Sequence, residues 1–252
     1  MRTSTSVRAA TPVTRGAFWL MISLLAWEIY QGIRADAPVR PDSWAAQPVD
    51  LVFLALLPAL TAFAFARLFL VITQSVRGTI DVYSAISSPF AWVFWLGLAV
   101  GLIGHGVHLA GHALHKALPA VYIQGEFAAK IAFLDTRAGY LLFGLGFFVA
   151  TAVILFLGHG GGQRIAGPIR AFFIFGSLAT YGAVFVYLGV AGGLLIPAIT
   201  GSVVLSAIGL WALPPYEITR DPVAALIVPG SFLAGLTLIV WTLIVGGQPT
   251  WP

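Results

Sequence analysis

Apolar runs of about 20 residues return along the whole chain, each long enough to cross roughly 30 Å of hydrocarbon as a helix rising 1.5 Å per residue. They cover 17–33, 51–74, 89–115, 131–157, 169–190, 193–213 and 222–246. A lipid interior offers the backbone no hydrogen-bond partners, so each run must satisfy its own amides as a helix. The expected fold is therefore an all-α, polytopic integral membrane bundle of about seven transmembrane helices, a single domain over 1–252 with the lipid bilayer as its solvent. Composition agrees: 59% of residues are hydrophobic and 9% charged, against about 25% charged in an ordinary soluble domain.

The ends of these runs are punctuated. Ser87-Ser88-Pro89 offers a cap and a first-turn proline to the third, Asp221-Pro222 does the same for the seventh, and Pro214-Pro215 stops the sixth. Gly192-Gly193 predicts a tight hairpin between the fifth and sixth, with Pro197 placed to kink the sixth. The first run follows Arg2, Arg8 and Arg15 and precedes Ala35-Asp36-Ala37, as a cleavable signal would. Pro38 after the cut and Glu28 within the run favour a retained span instead.

Charge sets the orientation. With the N-terminus inside, the inner flanks hold Arg2, Arg8, Arg15, Arg77, Arg164, Arg170 and Arg220, and the outer flanks hold Arg34, Arg40, Lys116, Lys130 and Arg137. This bias predicts N-in and C-out, in a cell membrane of the prokaryotic inner-membrane kind. The acids Asp36, Asp42, Asp50, Glu126 and Asp135 then fall outside. The basic residues are scattered singly, which excludes a nucleic-acid patch. Cysteine is absent, which excludes disulfides, thiolate metal sites and cysteine nucleophiles. Trp27 with Tyr30, Trp92 with Trp95, and Trp211 with Tyr216 are expected as interfacial anchors.

One helix carries chemistry. His105, His108, His112 and His115 lie within the repeat Gly104-His105-Gly106-Val107-His108-Leu109-Ala110, Gly111-His112-Ala113-Leu114-His115-Lys116-Ala117. At 100° per residue they stand at about 0°, −60°, −20° and −80°, on one ridge. Gly97, Gly101, Gly104 and Gly111 fall on or beside it, and small residues let a neighbouring helix approach. The histidines are thus expected to face the bundle. Counted from Pro89, they lie ~24 to ~39 Å along the helix, toward its outer end.

Buried imidazoles need a hydrogen-bond partner, a metal or water. The i, i+4 pair His108 and His112 has the spacing at which two rings hold one ion, so all four histidines are candidate ligands for zinc, copper or iron. Glu28, alone in an apolar run, and Asp135, at the outer start of the fourth span, are the candidate catalytic carboxylates, with Glu126 nearby. The same groups are also suited to a proton-passing or quinone-linked polar site, because histidine titrates near neutral pH. The plainer alternative is interhelical hydrogen bonding and interfacial solvation with no chemistry. His159 falls at the opposite face.

Other features have plainer readings. Arg67 is placed to snorkel to the inner headgroups. Gly160-Gly161-Gly162-Gln163-Arg164 lacks the lysine and Ser/Thr of a P-loop. Ser177 and Ser202 are expected to serve packing. Three functions remain open. A metal-dependent hydrolase or oxidoreductase of lipid-soluble substrates is preferred, because the loops are too short to hold a soluble one. The alternatives are a non-catalytic subunit packing against other membrane subunits or its own copies, as in respiratory or photosynthetic complexes, and a metal or proton transporter.

Overall fold

The structure, a computed structural model, describes residues 11–34, 56–77, 87–117, 124–159, 164–190 and 192–247. Seven long helices fill these residues: α1 (Pro12–Arg34), α2 (Leu57–Arg77), α3 (Pro89–Ala117), α4 (Gly125–Gly158), α5 (Gly167–Val190), α6 (Leu195–Ala212) and α7 (Pro222–Val245). Among the described residues there is no strand. All of these helices except α1 are long and apolar enough to cross a membrane. The chain is a multi-pass helical membrane protein. Trp92, Leu96, Ile103, Phe175, Ile196, Leu243 and Ile244 are exposed on its outside, a belt of apolar side chains that water would not tolerate.

The first helix departs from expectation in character. It forms over Pro12–Arg34, five residues earlier than the apolar run, and stands outside the six apolar spans because Arg15 and Glu28 interrupt it. A stripe of Val13, Ala17, Leu20, Leu24 and Trp27 is nonetheless buried, and α1 packs chiefly on α2.

Most ends follow their punctuation. Asp221 caps α7 by accepting from the amides of Val223 and Ala224, both at 2.9 Å. Ser88 caps α3 by accepting from the Ala91 amide at 3.2 Å. Gly193, at φ 65°, makes the reversal between α5 and α6, while the Gly192 and Leu194 amides close on the carbonyls of Tyr187 and Leu188. Pro197 makes no kink: it is the third residue of α6, where its missing N–H costs no intrahelical bond. An interior proline that does matter is Pro229 of α7. Near it, the Gly230 amide donates across the bundle to Ser177 Oγ at 2.8 Å, so Ser177 supplies a bond as well as packing.

The fourth helix begins at Gly125, six residues before the apolar run. Its first turns are held by an exposed Glu126–Lys130 pair at 2.7 Å and then widen into a π-turn over Phe133–Ala138. Residues 51–55 of the second run, the flanking Arg2, Arg8, Asp36, Arg40, Asp42 and Asp50, and Gly160–Gln163 lie outside the described residues. Exposed Arg67 sits halfway along α2 with no ion-pair partner among the described residues.

The α3–α4 contact is the most extensive among the described helices and positions everything that follows. A Cβ added at Gly104 would strike the backbone of α4 at Phe143, and one at Gly146 would strike that of α3 at Gly101. Lower down, a Cβ on Gly111 would come 2.6 Å from the Asp135 amide, and one on Gly139 2.7 Å from the His108 backbone. The glycine ridge thus brings the two backbones into contact, as its spacing predicts.

Candidate functional site

Because α3 lies against α4 at Gly111 and Gly139, the His108 ring reaches Asp135. His108 Nδ1 lies 2.7 Å from the Asp135 carbonyl and 2.9 Å from its Oδ1. A carbonyl oxygen only accepts, so Nδ1 carries the proton and donates to the Asp135 carbonyl, while Oδ1 lies beside it at ion-pair distance. In the neutral ring the lone pair then belongs to Nε2, the nitrogen left for a base or a ligand. The π-turn contributes directly: across it, the Gly139 amide bonds the Leu134 carbonyl, five residues back, and Asp135 sits inside this wide turn.

Four helices close a cleft over this couple. Its polar lining is Glu28 from α1, His105 and His108 from α3, Tyr140 from α4 and Tyr187 from α5. The rest is apolar: Leu24, Trp27, Phe143, Val184 and Leu188. The enclosed part is about 20 Å³, space for one water molecule. Tyr140 lies over His108 with ring centres 4.4 Å apart, and its hydroxyl bonds that of Tyr187 at 2.8 Å. Both Glu28 and Asp135 are within electrostatic reach of Tyr187. His105 is buried, 6% exposed, and stands edge-on to Trp27 with centres 4.8 Å apart.

The sequence-predicted residues divide three ways. Glu28, His105, His108 and Asp135 come together at one end of the bundle. Glu126 does not join them, being exposed and paired with Lys130. His112 and His115 continue α3, but their side chains lie outside the described residues. Among the described residues, no three His, Asp or Glu side chains converge as a metal-binding group. His159 caps the opposite end of α4, as expected.

Sequence reasoning missed three residues. Tyr140 and Tyr187 are half-exposed phenols of α4 and α5, and no spacing announced their hydroxyl pair. Trp27, expected as an interfacial anchor, is buried at 6% exposure against His105. Its indole Nε1 is buried without a hydrogen-bond partner among the described residues. The available signal was its position, one residue before Glu28 on the inward stripe of α1. Trp92 and Trp211, by contrast, are exposed as anchors should be.

No family model, curated protein or solved structure matches this chain. Fold and site define it as a multi-pass helical membrane protein with a titratable cleft at one end. Anything more particular rests on the chemistry of that cleft.

Proposed function

We propose that this protein performs acid–base chemistry on a membrane-dissolved substrate at the outer end of a seven-span, N-in and C-out bundle. His108 is the base, Asp135 fixes its tautomer, and Glu28 is the second proton-carrying group. The observation that carries this reading is the double contact of His108 Nδ1 with Asp135, the arrangement by which an acceptor orients an imidazole for proton transfer. The apolar wall of the cleft favours a lipid-soluble partner over a hydrophilic one. α1 is the seventh span in this reading, carrying Glu28 into the bundle.

The test is ¹⁵N NMR of histidine-labelled protein in nanodiscs, which separates protonated from unprotonated ring nitrogens. His108 is expected as the Nδ1–H tautomer near neutral pH. A neutral His108 protonated on Nε2 would remove the base and overturn the reading.

A transition-metal centre is the second reading, and one observation favours it. An Nδ1–H bond to a carbonyl or carboxylate is also how metal-ligating histidines are oriented. His108 with His105, His112 and His115 would then hold zinc, copper or iron, and Glu28 would act on a bound water. Elemental analysis of the parent and of a His108→Ala/His112→Ala double variant decides it: stoichiometric metal lost in the variant is expected, and a metal-free parent sinks it. Assembly with other membrane subunits or with its own copies is tested by the mass of the detergent-purified particle.

A further inference from the structure

Resting on the acid–base reading of the cleft, we propose that the cleft seats one oxygen of a quinone or quinol headgroup, with Trp27 as a positioning residue. Trp27 is 6% exposed, and its Nε1–H finds no acceptor among the described residues. A buried donor without an acceptor costs about 1–3 kcal/mol. A ligand oxygen entering the cleft would relieve that cost.

Size then limits what enters. The enclosed space of about 20 Å³ takes a single water-sized group, so the oxygen occupies it and the ring bearing the oxygen lies in the open mouth. Tyr187, 37% exposed, stands at the edge of that mouth, and its hydroxyl is held by Tyr140.

Chemistry narrows the class further. The lining offers both donors, at Trp27 and at the one tyrosine hydroxyl whose proton the Tyr140–Tyr187 bond leaves over, and proton acceptors, at Glu28 and His108. A quinone carbonyl accepts a hydrogen bond and the same oxygen in a quinol donates one, so this mixed lining suits both forms. No serine or threonine lines the cleft, so it offers no hydroxyl nucleophile for an acyl intermediate.

The experiment is equilibrium binding to the full chain in nanodiscs, using a short-tailed benzoquinone and an arene of the same shape without oxygens. Saturable binding of the quinone and only non-saturable partitioning of the arene are expected. Trp27→Phe keeps an aromatic ring and removes the donor, and it should weaken quinone binding about tenfold, the effect of one hydrogen bond. Tyr187→Phe, at the exposed edge, gives an independent arm should Trp27→Phe fold poorly, with a smaller loss expected. Equal partitioning of both probes, or unchanged quinone affinity in both variants, would overturn the proposal and leave water as the occupant. With the His108 tautomer upheld by NMR, such a failure removes the ligand class alone; without it, both readings fall.

Discussion

Gly139→Ala asks whether the close approach of α3 and α4 builds the site. The added methyl would lie 2.7 Å from the Cα, Cβ and N of His108, and none of these atoms can rotate away. Ordinary carbon contacts need about 3.5–4.0 Å, so the helices must part by roughly 1 Å. The His108 Nδ1 contacts at 2.7 and 2.9 Å then stretch to nearly 4 Å, beyond hydrogen bonding. Overpacking costs about 1–3 kcal/mol. An interhelical hydrogen bond inside a membrane averages about 0.6 kcal/mol and reaches about 1.7, so packing is the larger loss. A net destabilisation of about 2–5 kcal/mol follows from the two together. Gly106→Ala is the control: the same substitution on α3, with nothing within 4 Å of the new Cβ, should be neutral. Unfolding in mixed SDS micelles followed by circular dichroism measures the first effect, and the His108 ¹⁵N signals measure the second. If Gly139→Ala matches Gly106→Ala in stability and keeps the His108 signals of the parent, the glycine contact does not position the site and the reasoning fails.

Other predictions address separate links. Asp135→Asn should leave His108 protonated on Nδ1, because the backbone carbonyl at 2.7 Å remains; a switch to Nε2–H would show that the carboxylate alone fixes the ring. Ser177→Ala orphans the Gly230 amide and should cost about 1 kcal/mol in the micelle assay, within the range for interhelical bonds; no loss would mean that water replaces the hydroxyl. Tyr140→Phe removes the bond to Tyr187 and should cost about 0.5–1 kcal/mol, with Tyr187→Phe equal to it and the double variant no worse than either. At the other end, burial pushes the Asp221 carboxyl up, against the opposing pull of the Ala224 and Val223 amides and of nearby His159. A raised carboxyl binds more protons folded than unfolded, so its contribution is complete below the unfolded value of about 3.9 and is lost as pH rises through the folded one. Asp221→Asn, which keeps an acceptor, should flatten that slope and equal or exceed the parent at neutral pH. Asp221→Ala should lose about 1 kcal/mol, and an Asn variant as unstable as Ala would refute the assignment.

Much of the architecture was legible because it follows from local rules. Apolar runs mark helices wherever the backbone has no other partner, and the caps at Ser88 and Asp221 and the reversal at Gly193 are set by residues within a few positions. The ridge of Gly97, Gly101, Gly104, Gly111 and His108 was equally legible, since a helix turns by a fixed angle per residue. What such a ridge meets is another matter. That Asp135 and not Glu126 faces His108 depends on which turn of α4 lies beside Gly111, and on a π-turn that shifts the register by a residue without a sequence mark. Trp27, Tyr140 and Tyr187 come from three helices far apart in the chain, and only their packing makes one cleft of them. Sequence by itself determined the membrane character, the helices and the inward face of α3, because those depend on local periodicity and solvent. Tertiary structure alone decided the partners of that face, because contacts between distant helices are selected by the fit of whole surfaces and leave no trace in spacing.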